Sequence, residues 1–282
     1  MVIRPQRPVA GLRILERLPA SGPGFLVLER YRAKNLYRGG GASRPYRFEV
    51  LHRRGVDAVA ILPFYFEGRR RRLMVVCKIG FRPGLYLRSR LPLPVRDRRR
   101  YTSVIEAVAG SLEPGDRGES GITSRARDEL MEETGLRPLP HRRLRLGGGF
   151  FPSHGQSTEK IHLRAFEIDP GSARQAQGDG SVNEADAGTI AIAASRILLM
   201  CRAGRIEDPK LEVGVTRLLR CLSEEADRRR RSTVRRRTGG AHFCRMWRHA
   251  AATPFIDLTA GIRRKTKENA HSTLPRVNSP QG

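Results

Sequence analysis

The chain has 282 residues, with 54 Lys and Arg against 28 Asp and Glu, for a formal net charge of +26. That length holds one sizeable domain with extensions or two small ones, and 39% hydrophobic residues at a mean hydropathy of −0.47 fit a soluble chain with a proper core. No apolar run approaches the roughly 20 residues needed to cross a bilayer, which excludes a membrane-spanning helix.

In chain order, the opening MVIRPQRPVAGLRILERLPA lacks the uninterrupted apolar core of a secretory signal, so a cytoplasmic location is expected. Residues 25–50 alternate apolar and charged residues around a Gly-rich turn, which predicts a β-hairpin with one buried face. The runs 56–67 and 72–83 are apolar and β-rich, joined by a turn at Gly68, and read as central strands. The basic, Pro-containing stretch 84–101 reads as a mobile surface loop.

A glutamate-rich segment, Asp128 to Leu136, comes next. Glu129, Glu132 and Glu133 stand at i, i+3 and i+4, which places three carboxylates on one stripe of a helix. Like charges so placed destabilise a bare helix, and a hard cation relieves them. The competing reading is a solvated acidic patch. Leu130 and Leu136 supply an apolar side, and Gly135 stands where a left-handed cap would end the helix.

Residues 147–168 read as a loop and then a strand, residues 188–194 as a further strand, and 195–203 and 209–222 as helices separated by Gly204. From about Glu224 the sequence is basic and without period, and disorder is expected. Cys77, Cys201, Cys221 and Cys244 are scattered with no Cys-x-x-Cys pair and read as reduced thiols, not a zinc site or a disulfide frame. Arginine clusters at 69–72, 96–100, 228–231 and 235–237 have little aromatic interleaving. They fit either a compositional surface bias or weak polyanion binding by the tail.

The stretch from Gly110 to Leu136 resembles the Nudix box, G-x5-E-x7-R-E-U-x-E-E-x-G-U. Glu129, Leu130, Glu132, Glu133, Gly135 and Leu136 fall on its positions, and AGSLEPGD resembles its opening. The loop acid is either Asp116 or Glu119, the loop being four residues longer than the pattern if it is Asp116. Asp128 stands where the pattern has arginine, and Arg125 and Arg127 are expected on other faces of the helix.

FFPSHGQSTEKIHL and GFRP are similar to segments of the ADP-ribose and nucleotide-sugar pyrophosphatase branch. The resemblance implies an α/β fold, an α/β/α sandwich with a mixed sheet, preceded by an antiparallel β platform used in homodimerisation. The expected organisation is 1–49 as extension and platform, 50–222 as the Nudix domain and 223–282 as a basic disordered tail.

The resemblance further implies Mg²⁺- or Mn²⁺-dependent cleavage of the pyrophosphate of ADP-ribose, giving AMP and ribose 5-phosphate, or of a related nucleotide sugar. The metal would be held by Glu129, Glu133, Asp186 and the Ala109 carbonyl. Glu184, the expected base, and Glu132 would be catalytic, and Arg82, Pro152 and Ser153 would bind substrate. Asp128 leaves a second expectation open: a catalytically weakened Nudix scaffold that binds a nucleotide or nucleic acid.

Overall fold

A computed structural model describes residues 2–3, 24–38, 40–53, 55–97, 99–174, 176 and 187–237, of which 2–3 and 232–237 by backbone alone. The chain divides into two compact units, Met1–Arg230 and Arg231–Gly282. Of the second, the described part is helical and ends at Arg237. Glu184 and Asp186, Cys244 and the tail from residue 238 lie outside the described residues.

The first unit is mixed α/β. Among the described residues one sheet has the order β1-β10-β5-β4-β9-β8, with β6 paired to β5 and β7 to β4. These strands are β1 (Val2–Ile3), β4 (Ala58–Glu67), β5 (Arg72–Gly80), β6 (Val104–Glu106), β7 (Val108–Ser111), β8 (Pro138–Arg145), β9 (Ile161–Ile168) and β10 (Gly188–Ala193). The β4–β9 pair is parallel and the other pairs antiparallel, so the sheet is mixed.

β4 shows why the run 56–67 has apolar residues on both parities. Ala58, Ala60, Leu62 and Phe64 join one core, with Ile197, Leu211, Val215 and Leu218. Val59, Ile61 and Tyr65 join another, with Ile122, Ala126 and Leu130. A strand covered on both faces has no polar side to show. The first core is closed by α3 (Ala194–Arg202) and α4 (Pro209–Arg237), the second by α2 (Gly118–Thr134). Gly214 is what lets α4 come close, since a Cβ there would lie 2.6 Å from a Leu62 methyl carbon.

Three expectations change. The hairpin forms as β2 (Leu26–Ala33) and β3 (Tyr46–Arg53), paired as a separate two-stranded sheet. Its expected buried face is not covered: Phe25, Leu26, Leu28, Tyr31 and Phe48 are all exposed. Residues 84–101 are not a bare loop. The short helix α1 (Pro83–Leu87) and a 3-10 turn at Arg88–Arg90 open the stretch, and Arg88–Asp97 and Arg99–Glu207 ion pairs fasten its remainder. Finally, α4 continues past Glu224 to Arg237 instead of dissolving. Its sequence there is rich in Arg, a good helix former, and just before it Arg220 pairs with Glu224 one turn on.

Candidate active site

The inner face of α2 carries the candidate site. The helix ends at Gly135, which takes the left-handed conformation (φ 65°) and donates its N–H to the Met131 carbonyl at 2.9 Å. At about 100° per residue, Ile122, Ala126 and Leu130 define the buried stripe, and Glu133 falls in its middle. Glu129 lies at its flank, and Glu132 about 100° round from Glu133. Burial follows that order: the Glu133 side chain is 3% exposed, Glu129 is half-buried and Glu132 is exposed. The three expected carboxylates therefore divide into two turned toward the sheet and one turned out to solvent.

Two contacts fix the inner pair. Gly110 of β7 lies against Glu129 so closely that a Cβ there would overlap the carboxyl group. A side chain at this position would have to push the Glu129 carboxylate aside. Glu133 accepts from the Lys78 ammonium at 2.5 Å, in a pair buried on both sides. Lys78 reaches it because Met74, Val76 and Lys78 share one face of β5, the α2 face. A buried charge is costly unless paired, and here each ion answers the other.

Lys78 lies opposite Glu106 in the β5–β6 register. Glu106, buried, accepts from Arg82 at 2.8 Å. Arg82 itself is half exposed and stands just before α1. Sequence reasoning misses Lys78 and Glu106. A lysine inside the apolar run RLMVVCKIG is the available signal, since Lys is almost never buried unless paired.

The two candidates for the loop acid have different partners. Asp116 accepts from the Glu113 N–H at 2.8 Å and from Arg125 at 2.9 Å, while Glu119 turns to Arg164 at 2.6 Å and Arg145 at 3.3 Å. Burial tends to raise the Asp116 carboxyl, but the Glu113 N–H and the Arg125 guanidinium outweigh it and hold the carboxyl below the usual range. Arg125 is itself held further toward its charged form, first by the Asp116 hydrogen bond, with Glu113 and Glu129 adding to it. The expectation that Arg125 faces elsewhere is thus corrected: residues 125 and 129 are i and i+4, on the same side of the helix. Arg127, two residues from Glu129, does point elsewhere and is exposed.

Pro152 and Ser153 lie in an exposed turn closed by bonds from Gln156 N–H and Ser157 N–H to the Ser153 carbonyl at 3.0 and 2.9 Å, and tied to β3 by the Leu51 N–H, which donates to the Gln156 carbonyl at 2.9 Å. The same loop meets the head of the motif through Arg53, which bonds Glu159 at 2.9 Å and the Ser111 hydroxyl. Ala109 is paired with Ala60 of β4, half-buried beside Gly110. Cys77 is buried and Cys201 and Cys221 half-buried, all as free thiols.

Glu129 and Glu133 form a pair of hard oxygen donors one turn apart, suited to a divalent cation of the Mg²⁺ type. Among the described residues no group of three His, Cys, Asp or Glu side chains converges in metal-binding geometry. No protein-family model matches the chain, and no curated protein gives a significant match to it. Among the described residues, no helix is long and apolar enough to cross a membrane.

Proposed function

We propose that the chain is a Nudix-type hydrolase that cleaves the pyrophosphate of ADP-ribose, or of a related nucleotide sugar, with Mg²⁺ or Mn²⁺. The observation that carries this reading is the fit of the Glu129 carboxyl against the Gly110 backbone, with Glu133 buried one turn on. A solvated acidic patch would need neither the glycine nor the burial. On this reading Glu129 and Glu133 hold the metal, with the Ala109 carbonyl and Asp186 completing its ligands as the resemblance implies. A divalent ion there would neutralise pyrophosphate charge and lower the pKa of an attacking water.

The chain's own groups have distinct tasks. Lys78 meets the buried Glu133 carboxylate with an opposite charge at hydrogen-bond distance. Glu106 orients Arg82, whose half-exposed guanidinium has donors enough to meet phosphate oxygens as well. Arg125 steadies Asp116 at the start of α2. Glu184, as the resemblance implies, takes the proton of water as it attacks phosphorus and the bridging P–O bond breaks, leaving AMP and ribose 5-phosphate. The same reading places the protein in the cytoplasm and pairs two copies through the apolar β2–β3 hairpin.

Incubating the full chain with ADP-ribose, UDP-glucose or GDP-mannose and Mg²⁺ should release AMP, UMP or GMP from at least one. Glu133→Gln should lower that turnover by about a hundredfold or more, by removing a charge at nearly constant volume. Its amide oxygen can still accept from Lys78, so circular dichroism should be unchanged. Retained turnover, or no nucleotide release from any substrate, sinks the reading.

A further inference from the structure

The residues fastened behind Arg82 enclose a cleft of about 220 Å³, lined by Arg82, Tyr101, Ile105, Arg205, Ile206 and Glu207 among others. It is built, not incidental. Asp208 caps the start of α4, accepting from Lys210 N–H at 3.1 Å, and also accepts from the Ala107 N–H at 2.8 Å, tying the α3–α4 connection to the sheet. On the other wall, Arg99 donates to Glu207 at 2.8 Å and to the Gly204 and Arg205 carbonyls at 3.3 and 3.4 Å.

Tyr101 donates its hydroxyl to Asp97 at 2.7 Å, with the Glu207 carboxylate 3.3 Å from the same oxygen, from a backbone held at φ 47°. Such a conformation is unfavourable for an L residue and persists only where its surroundings enforce it.

The lining chemistry selects a ligand. Arg205 has an exposed side chain and, among the described residues, no ion pair or side-chain hydrogen bond, so its guanidinium is available to a phosphate or carboxylate. Glu207 is half exposed, and its carboxylate has acceptor capacity beyond Arg99 and Tyr101, as a ring hydroxyl requires. A nucleobase finds no stacking face: Tyr101 is 9% exposed and the Arg99 guanidinium lies 5.0 Å over its ring. The cleft also borders Arg82 and Glu106, the latter opposite Lys78 of the glutamate site.

We propose that this cleft binds a phosphorylated sugar, Arg205 taking the phosphate and Glu207 the hydroxyls. The proposal rests on the hydrolase reading in so far as that sugar phosphate is the non-nucleotide half of the substrate.

Calorimetric titration of the full chain with ribose 5-phosphate, AMP and inorganic phosphate tests it. Ribose 5-phosphate should bind more tightly than inorganic phosphate, and Arg205→Ala and Glu207→Gln should each weaken it about tenfold or more. Arg205→Ala should also raise KM for ADP-ribose with kcat little changed. Loss of binding in Arg205→Ala, in a protein that releases AMP, supports both assignments. The same loss in a protein that releases no nucleotide supports the cleft and overturns the hydrolase reading. No binding of ribose 5-phosphate, or binding unchanged in Arg205→Ala, overturns the cleft whatever the hydrolase does.

Discussion

At the scale of single residues, the arginine of the motif is the sharpest question, because Asp128 occupies its place. Arg125 stands three residues earlier, yet it pairs with Asp116 and Glu113 and lies one turn before Glu129. The role belongs to a position on a helix face, and helices repeat that face every three to four residues. If the chain is the hydrolase proposed above, Arg125→Ala should reduce its turnover by about tenfold or more, through a displaced Glu129 and a released Asp116. Asp128→Arg should change it less than about twofold, since Arg125 already stands on the Glu129 side of the helix. Steady-state rates of the two variants decide between them: a large gain in Asp128→Arg would give the missing arginine back its importance.

At the scale of elements, legibility in the sequence depends on burial. β4 and β5 stand out as apolar runs, and Glu129 to Leu136 as a helix end with its cap, because their surroundings are buried. β8 escapes: PLPHRRLR carries prolines and arginines, and most of its side chains are exposed at the sheet edge. α1 is hidden because no residue in it is buried. The site is half legible. Glu129 and Glu133 follow from spacing, but Lys78 and Glu106 come from strand register, which links residues far apart in sequence.

The cap of α2 offers a clean energetic test of these local rules. Gly135 and Gly118 both have positive φ, 65° and 63°. A Cβ at Gly118 meets nothing within 4 Å, whereas one at Gly135 would overlap the Arg174 carbonyl. Gly118→Ala should therefore cost only the conformational term, about 1 kcal/mol, and Gly135→Ala clearly more, about 2–3 kcal/mol. Thermal denaturation should show Gly135→Ala with the lower Tm, by several degrees, as roughly 2–4 °C per kcal/mol applies at this size.

At the scale of the whole molecule, two opposing tendencies meet. The hairpin shows Phe25, Leu26, Val27, Leu28, Tyr31 and Phe48 to its surroundings, each more than a third exposed. Apolar surface of that extent favours association. A charge of +26 on every copy opposes it. Salt screens the repulsion and leaves the apolar term, with a Debye length falling from about 10 Å at 0.1 M to about 3 Å at 1 M. Sedimentation velocity should show a dimer that strengthens as salt is raised, and Leu28→Lys should keep the chain monomeric. Association that weakens with salt would point instead to contacts made by the charges.

The parallel pairing of β4 with β9 reaches beyond the finished fold. During synthesis, β5 and β7 follow β4 closely, but its parallel neighbour β9 is complete only once Ile168 has been added, and the α3 and α4 cover for one face comes later still. Val2 and Ile3 of β1 pair with Ile190 and Thr189 of β10, the two strands farthest apart in the sequence of this sheet. A nascent chain thus carries its most apolar strand half-covered until β9, α3 and α4 have been made, an interval in which that apolar surface is open to aggregation.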